Sequence, residues 1–227
     1  MDYELMMNGT IKLGQKAPDF DAITTYGNIK LEDFKGKWLV FFSHPGDFTP
    51  VCTTEIIAFS KAFPYFQNMN TELLGLSIDS NPSHLAWMQD IYLRTGITIP
   101  FPIIADRSGE IARKYGMIAS DLSKTETVRN VFIIDDKQNI RTILVYPLNI
   151  GRFIPEIIRI VQALQMADCS KSSTPANWMP GCPVIMPIPK TYEELKEREK
   201  YIQKYNDSFS WYLTFKEPPK ECDSICY

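Results

Sequence analysis

The feature that most constrains the fold is a set of short, nearly continuous apolar runs separated by helical patterns. The runs cover residues 37–43, 72–78 and 130–134. Runs of this length without polar alternation are typical of strands that are covered on both faces. The helical patterns between them cover residues 53–67 and 83–92. This order of strands and helices predicts an α/β domain.

A hairpin and a last helix complete the predicted domain. Residues 140–146 alternate loosely after a polar turn, which predicts an antiparallel partner for the strand at 130–134. Residues 154–167 carry apolar side chains at helical spacing, with Pro155 near the start. We therefore predict a mixed central sheet that is flanked by helices.

The composition changes after Asp168. Residues 174–190 contain five prolines and few helix or strand signals, which is typical of a linker or an extended arm. A short charged helix is predicted to follow at 191–204. A segment of this size has too little apolar surface to fold alone, so it should pack on the main domain or on another subunit. We predict a domain at 1–168 and a dimerisation arm with a tail at 169–227.

Charge and hydropathy exclude several classes of protein. The formal net charge is −3, and the lysines and arginines are spread along the chain, which argues against nucleic acid as the main partner. No apolar run reaches the roughly 18 residues that a membrane span needs. The N-terminus lacks the basic region and long apolar stretch of a signal peptide. The prediction is a cytoplasmic protein without a membrane partner.

The five cysteines stand at positions 52, 169, 182, 222 and 226. An odd number in a chain without an export signal does not resemble a structural disulfide framework. Without a Cys-x-x-Cys pair, a general thiol–disulfide oxidoreductase is not favoured. With two histidines in the chain, a zinc site of the usual spacing is hard to assemble, and we expect no metal or cofactor. The thiols are therefore either inert core residues or redox-active ones.

The most informative cysteine is Cys52, which follows a strand and a proline-bounded loop and precedes a helical pattern. This order places it in the first helical turn, where free N–H groups and the helix dipole favour an anion. A thiolate is the reactive form of cysteine. Thr49 lies three residues before it and can offer a hydroxyl to the same pocket. The alternative, a buried small hydrophobe behind a proline turn, is less favoured in this setting.

The loop resembles the active-site signature of the peroxiredoxins. The shared residues are Pro45, Thr49 and Cys52, and the longer string at 42–55 is similar to the one-cysteine group with its archaeal-type thioredoxin peroxidases. The resemblance continues through four further segments and covers most of residues 10–190. Those segments are 76–80, 100–104, Val128-Arg129 and Tyr146-Pro147 with Gly151-Arg152. It implies a thioredoxin-like fold with a C-terminal extension arm that joins dimers.

The resemblance also implies a mechanism. The Cys52 thiolate would attack the terminal peroxide oxygen and become a sulfenic acid. Thr49 would hold the peroxide, and Arg129 would stabilise the thiolate and polarise the O–O bond. Without the resemblance, Arg129 would be interpreted as an ordinary surface arginine.

Three more residues receive roles in the same way. Pro45 would shield the sulfenate from solvent, and Arg152 would support the arginine network. His44 would line the entrance and contact substrate, although a loop histidine without chemistry is equally compatible with the sequence. Glu55 by itself would be only an acid that compensates the helix dipole.

The chain departs from the resemblance in its tail. Archaeal-type members carry two resolving cysteines beside a tryptophan-rich segment, and here Ser208 and Thr214 stand in their places. Cys222 and Cys226 follow instead, on a tail of flexible composition. We expect one of them, with Cys222 preferred, to resolve the Cys52 sulfenate of the partner subunit as an exposed, mobile thiol. The alternative is two tail cysteines without a role, and Cys169 and Cys182 are interpreted as structural or incidental.

The predicted function is therefore that of a peroxidase for hydrogen peroxide and organic hydroperoxides, reduced by thioredoxin or another thiol. By resemblance it would form at least a homodimer and a ring of five dimers. The alternative is a redox relay or a holdase chaperone on the same ring scaffold, whose cysteine signals rather than detoxifies.

Overall fold

The three apolar runs form strands of one mixed sheet. The computed structural model describes residues 11–121, 123, 125–202 and 208–225, and within these residues the sheet has seven strands. The strands are β1 (Asp21–Thr24), β2 (Gly27–Lys30), β3 (Trp38–Ser43), β4 (Thr71–Ser77), β5 (Ile103–Ala105), β6 (Arg129–Ile134) and β7 (Ile140–Tyr146). Their order across the sheet is β2-β1-β5-β4-β3-β6-β7.

The strand pairing explains the hydrophobic pattern. β3 is parallel to β4 on one side and antiparallel to β6 on the other, and every residue of β3 and β6 is buried. A strand that is covered on both faces has no polar alternation, which is the pattern of the sequence. The predicted hairpin of β6 with β7 is confirmed. The predicted mixed sheet is confirmed as well.

The first unit has three α-helices among the described residues, and prolines lie in the first turn of the two long ones. The helices are α1 (Pro50–Asn68), α2 (Asn81–Thr95) and the short α3 (Glu110–Lys114), with a 3-10 turn at Leu31–Phe34. Pro50 occupies the first turn of α1, where a missing N–H costs no helical hydrogen bond. The hydroxyl of Ser80 accepts from the N–H of Ser83 and caps α2. Gly96, at φ 71°, ends α2 in the left-handed conformation that glycine adopts without strain.

Two parts of the sheet have no clear sequence signal. The β1–β2 hairpin exposes Asp21, Ile23 and most of β2, and β5 has three residues that follow Pro100 and Pro102. Both lie toward one edge of the sheet. Their pairing depends on the strands that are already in place rather than on a pattern of their own.

The second compact unit covers Pro155–Tyr227, and the first covers Met1–Ile154. Its elements are α4 (Ile154–Ser170), β8 (Val184–Ile185), α5 (Tyr192–Ile202), β9 (Phe215–Lys216) and a 3-10 turn at Lys220–Ile225. β8 pairs with β9, and a buried cluster joins Met166 of α4 to Trp178 and Val184. This packing groups almost all of α4 with the arm, although the composition changes only after residue 168.

The cysteines of this unit differ from the sequence-based expectation. Cys169 and Cys222 form a disulfide bond across 53 residues, and Cys222 is fully buried in the cluster with Trp178. The expectation that the chain has no structural disulfide, and that Cys222 is an exposed thiol, is therefore wrong. The physical reason is that the 3-10 turn packs against the end of α4, a contact that the spacing of cysteines does not reveal. Cys182 is a free, exposed thiol, and Cys226 lies outside the described residues.

Candidate active site

Cys52 lies in the first turn of α1, as the sequence predicts. β3 ends at Ser43, a six-residue loop follows, and Thr49 is the N-cap residue of the helix. The Thr49 hydroxyl donates to the carbonyl of Gly46, which closes the loop below the cysteine. The Cys52 side chain is buried and its thiol is free. Pro45 and Thr49 are half-buried on this loop.

Arg129 is held against the cysteine from the first residue of β6. One of its terminal nitrogens, Nη1, lies 3.3 Å from Cys52 Sγ and donates to Glu55 Oε2 at 2.7 Å. Its Nε and Nη2 both donate to the carbonyl of Leu148. The interpretation of Arg129 as a surface arginine is therefore wrong, because the side chain is buried and every part of the guanidinium has an acceptor.

Glu55 joins two arginines behind the thiol. Arg152 donates to Glu55 Oε1 from its backbone N–H at 2.8 Å and from Nε at 2.9 Å, and its Nη2 donates to Oε2 at 2.7 Å. Burial alone would raise the pKa of Glu55, but the charge and hydrogen bonds of Arg152, with the charge of Arg129, hold that pKa below its ordinary value. The carboxylate is therefore ionised in the folded protein.

The charges of this buried network favour an anionic sulfur. Arg129 and Arg152 bring two positive charges, and Glu55 brings one negative charge. A buried charge is costly unless it is balanced nearby. A thiolate at Cys52 supplies the second negative charge, 3.3 Å from the Arg129 nitrogen. The arrangement is thus electrically complementary to a thiolate.

Arg152 is also fixed by contacts outside the ion pairs. Its Nη1 donates to the carbonyls of Ser43 and Asn130, and its guanidinium lies 5.1 Å from the ring centre of Phe42 and 5.5 Å from that of Phe59. These contacts bind the end of β3 to β6. Arg152 therefore reaches Cys52 through Glu55 and Arg129 rather than by direct contact.

Glu55 is the residue whose importance the sequence pattern alone did not show. An acid in a first helical turn is ordinary, because the helix dipole favours it there. The available signal was the spacing: residues three apart lie on the same face of a helix, so Glu55 shares the face of Cys52. Its two arginine partners come from residues 74 and 97 positions further along the chain, which no local pattern reveals.

A second buried polar cluster lies on the same loop. His44 Nε2 is 3.0 Å from Asp47 Oδ1, and His84 Nδ1 is 2.8 Å from Asp47 Oδ2. Ser83 donates to the same carboxylate. Within the described part of the chain, these two histidines and Asp47 are the one group whose ligand atoms lie close enough to hold a metal ion. Their hydrogen bonds to one another account for the short distances.

No helix in the part of the chain that the structure describes combines the length and the apolar character needed to cross a membrane.

Two family matches cover most of the chain. The AhpC/TSA family matches residues 13–143, and the C-terminal domain of 1-Cys peroxiredoxin matches residues 163–204. The first match includes Cys52, Glu55 and Arg129, and the second includes Cys169.

Similar proteins come from bacteria and archaea. Peroxiredoxin 2 of Caldanaerobacter subterraneus subsp. tengcongensis is 58% identical over 206 residues, which are 91% of this chain and 93% of the relative. Peroxiredoxin 2 of Sulfurisphaera tokodaii is 50% identical over 210 residues, which are 90% and 96% of the two chains.

Solved structures of related proteins have the same fold. A yeast mitochondrial 1-Cys peroxiredoxin matches with a TM-score of 0.80 and 38% identity, covering 92% of this chain and all of that one (100%). A cysteine-to-serine mutant of peroxiredoxin 6 from Arenicola marina matches with a TM-score of 0.81 and 32% identity, covering 92% and 99%. The predicted thioredoxin-like fold with a C-terminal extension is confirmed.

Proposed function

Because the chain belongs to the peroxiredoxin family and is a thiol-dependent peroxidase, we propose that it reduces hydrogen peroxide and organic hydroperoxides through the thiolate of Cys52. The observation that carries this proposal is the Arg129 nitrogen 3.3 Å from Cys52 Sγ, inside a network that lacks one negative charge.

The first step oxidises the sulfur by two electrons. The thiolate attacks the distal oxygen of the hydroperoxide, an S–O bond forms, and the O–O bond breaks. The leaving oxygen takes up a proton and departs as water or as an alcohol. Cys52 becomes a sulfenic acid.

The residues around Cys52 divide this work. Arg129 holds the thiolate and stabilises the negative charge that develops on the peroxide oxygens, since its guanidinium is fixed before the reaction begins. Thr49 and His44 contact the hydroperoxide at the loop. Pro45 shields the sulfenic acid from solvent, and Arg152 keeps Arg129 in place through Glu55.

The second step is resolution by a thiol. A tail thiolate of the partner subunit attacks the sulfenic sulfur, a disulfide forms, and the oxygen leaves as water. Cys222 remains our candidate, but it is bonded to Cys169, so that disulfide must be reduced before Cys222 can act. Cys226 is the second candidate and lies outside the described residues.

An external thiol completes the cycle. Thioredoxin or another thiol reductant would reduce the resolved disulfide. The yeast mitochondrial 1-Cys peroxiredoxin supports this step by similarity, because its thiol resolving mechanism is described as running via glutathione and thioredoxin systems. We propose that the cycle runs in the cytoplasm, in a homodimer that assembles into a ring of five dimers.

The test is a comparison of cysteine variants in peroxide consumption. Cys52→Ser should abolish turnover with a thiol reductant, while Cys182→Ser, which replaces an exposed free thiol, should leave the rate near that of wild type. The same assay separates a peroxidase from a holdase, which needs no peroxide turnover. Appreciable turnover by Cys52→Ser would refute the proposed mechanism.

A further inference from the structure

His84 is a buried titratable residue at the active-site loop that the proposed reaction does not use. It projects from α2, and its ring is fully buried. Nδ1 lies 2.8 Å and 3.0 Å from the two carboxylate oxygens of Asp47. Nε2 lies 3.2 Å from the backbone carbonyl of Ile104. Both ring nitrogens therefore have partners within hydrogen-bond distance.

Each of these partners is an acceptor. A backbone carbonyl cannot donate, and the Asp47 carboxylate also accepts from Ser83 Oγ and from the ring of His44. A neutral imidazole has one N–H and one bare nitrogen, and the bare nitrogen would then face an acceptor. Only the doubly protonated ring donates in both directions.

The balance of buried charge leads to the same state. The side chain of Asp47 is 1% exposed. Burial alone would raise its pKa, but the hydrogen bonds from His44 and His84 hold the pKa well below the ordinary range, so the group is an anion. Burial lowers the pKa of His44 despite Asp47, and that ring is neutral. The cation that balances Asp47 is then His84.

We infer that His84 is a buried imidazolium and a positioning residue of the peroxidase site, acting through Asp47. The inference deepens the proposed function and rests on it for the reaction that is affected. With Asp47 kept anionic, His44 donates through Nε2, which leaves its Nδ1 as a bare acceptor. Among the described residues, this buried nitrogen has no hydrogen-bond partner.

His84 also helps to fix the loop itself. The backbone N–H of Asp47 donates to Asp79 Oδ2 at 2.9 Å, so that the residue is held by both its main chain and its carboxylate. Asp47 lies between Pro45, which is assigned to shield the sulfenic acid, and Thr49, which is assigned to contact the peroxide. Loss of the positive charge at His84 should therefore have two effects, both through Asp47. It changes the protonation of His44, and it loosens the loop that carries Asp47.

The number of histidines makes a direct test possible. The chain has two histidines, so protein labelled with ¹⁵N only in histidine gives two ring spin systems, assigned with a His84→Gln variant. For the wild type near neutral pH, we expect two protonated nitrogens in His84. We expect Nε2–H and a bare Nδ1 in His44. A bare nitrogen in His84 would overturn the inference.

The variant supplies a second readout that a purely structural role would not move. In His84→Gln, Asp47 loses its cation and draws a second proton onto the remaining histidine, so the His44 Nδ1 signal should change from bare to protonated. The second-order rate of Cys52 oxidation by hydrogen peroxide should fall on the order of tenfold to a hundredfold. Ser83→Ala is the matched comparison, because it removes a neutral donor to the same carboxylate from the same helix.

In Ser83→Ala the His44 signal should remain bare, and the loss of rate should be smaller than in His84→Gln. A His84→Gln variant with an unchanged His44 signal and an unchanged rate would refute the positioning role. If this variant does not fold, His44→Gln supplies the assignment, and the wild-type spectrum still decides the protonation state. The spectrum is recorded on the protein without peroxide. It therefore tests the protonation state of His84 separately from the proposed function, which the turnover of Cys52→Ser tests.

Discussion

Glu55 lies behind the thiol and balances the charges of two buried arginines, Arg129 and Arg152. Its carboxylate therefore offsets much of the free energy that burying these arginines costs. Glu55→Gln keeps the shape of the side chain but removes its charge. We expect the free energy of unfolding to fall by about 3–5 kcal/mol, the usual effect of leaving a buried charge without its partner. Urea unfolding at neutral pH measures this loss.

The matched control is Glu156→Gln, which breaks an ion pair with Arg159 where both side chains are partly exposed. Its cost should stay below about 1 kcal/mol. The two variants change the same kind of bond in different surroundings. Equal losses of unfolding free energy in Glu55→Gln and Glu156→Gln would contradict the argument that burial makes the Glu55 ion pairs more costly to break.

The lowered pKa of Glu55 also predicts how the free energy of unfolding depends on pH. The pKa of Glu55 is lowered in the folded protein, so its contribution is fully present above the ordinary value of 4.5 and is lost as the pH falls through the lower, folded value. The difference in unfolding free energy between wild type and Glu55→Gln should therefore shrink below about pH 4.5. A difference that stays constant from pH 7 to pH 3 would contradict this.

Arg129 is the residue that connects the stability of the network to its chemistry. Arg129→Lys keeps the positive charge but loses the planar fork that bonds Glu55 and Leu148 at once. We expect the second-order rate with hydrogen peroxide to fall roughly tenfold to a thousandfold, as for the loss of one preorganised donor. Stopped-flow tryptophan fluorescence measures it, with Arg94→Lys on the exposed face of α2 as the control. A rate equal to that of wild type would refute the assignment.

At the scale of elements, the sequence predicts whatever has a local pattern. β3, β4 and β6 have continuous apolar runs because they are covered on both faces, and α1 begins at a proline that favours the first turn. Cys52 could be placed for the same reason. The alternation of strand and helix was sufficient for the mixed α/β sheet, and the loop residues placed the central thiol; the thioredoxin-like fold with its C-terminal extension came from the family resemblance.

The contacts that could not be predicted are those between distant residues. Arg129, Glu55 and Arg152 meet because three different elements converge behind Cys52, and each of them alone looks like an ordinary charged residue. The Cys169–Cys222 disulfide depends on how a 3-10 turn packs on α4. Such pairs are fixed by tertiary packing, which leaves no periodic signal in the sequence.

The disulfide makes the proposed resolution step testable at this scale. Cys169→Ser leaves Cys222 as a thiol, so more Cys222 is available to attack a Cys52 sulfenic acid. After one equivalent of peroxide, non-reducing gels should show more disulfide-linked dimer in Cys169→Ser than in wild type that has not been reduced beforehand. Cys182→Ser should match the wild type.

The decisive variant is Cys222→Ser combined with Cys226→Ser. It should form no linked dimer and should instead accumulate oxidised Cys52, seen by intact mass. A linked dimer in this double variant, with continued turnover by thioredoxin, would show that other thiols resolve the sulfenic acid. Turnover only with small thiols, in the variant and the wild type alike, would indicate one-cysteine chemistry.

At the scale of the whole molecule, the second unit leaves large apolar side chains at its surface. Phe209 is 76% exposed and Trp211 42% exposed, and Tyr212 lies between them. A cluster of exposed aromatic residues is typical of a surface that another chain covers. This is the physical ground for the assembly that the family resemblance implies.

We therefore predict that the protein is at least a dimer at micromolar concentration. Light scattering should give at least twice the chain mass of 26.1 kDa, and a ring of five dimers, ten chains, would give about 261 kDa. Phe209→Ser with Trp211→Ser should shift the protein toward the monomer, because the replaced rings no longer bury apolar area between chains. Tyr65→Ser, which removes a ring that is 58% exposed from α1, is the control and should leave the mass unchanged. A wild-type monomer would overturn the prediction, and an unchanged mass in the double variant would place the interface away from this aromatic cluster.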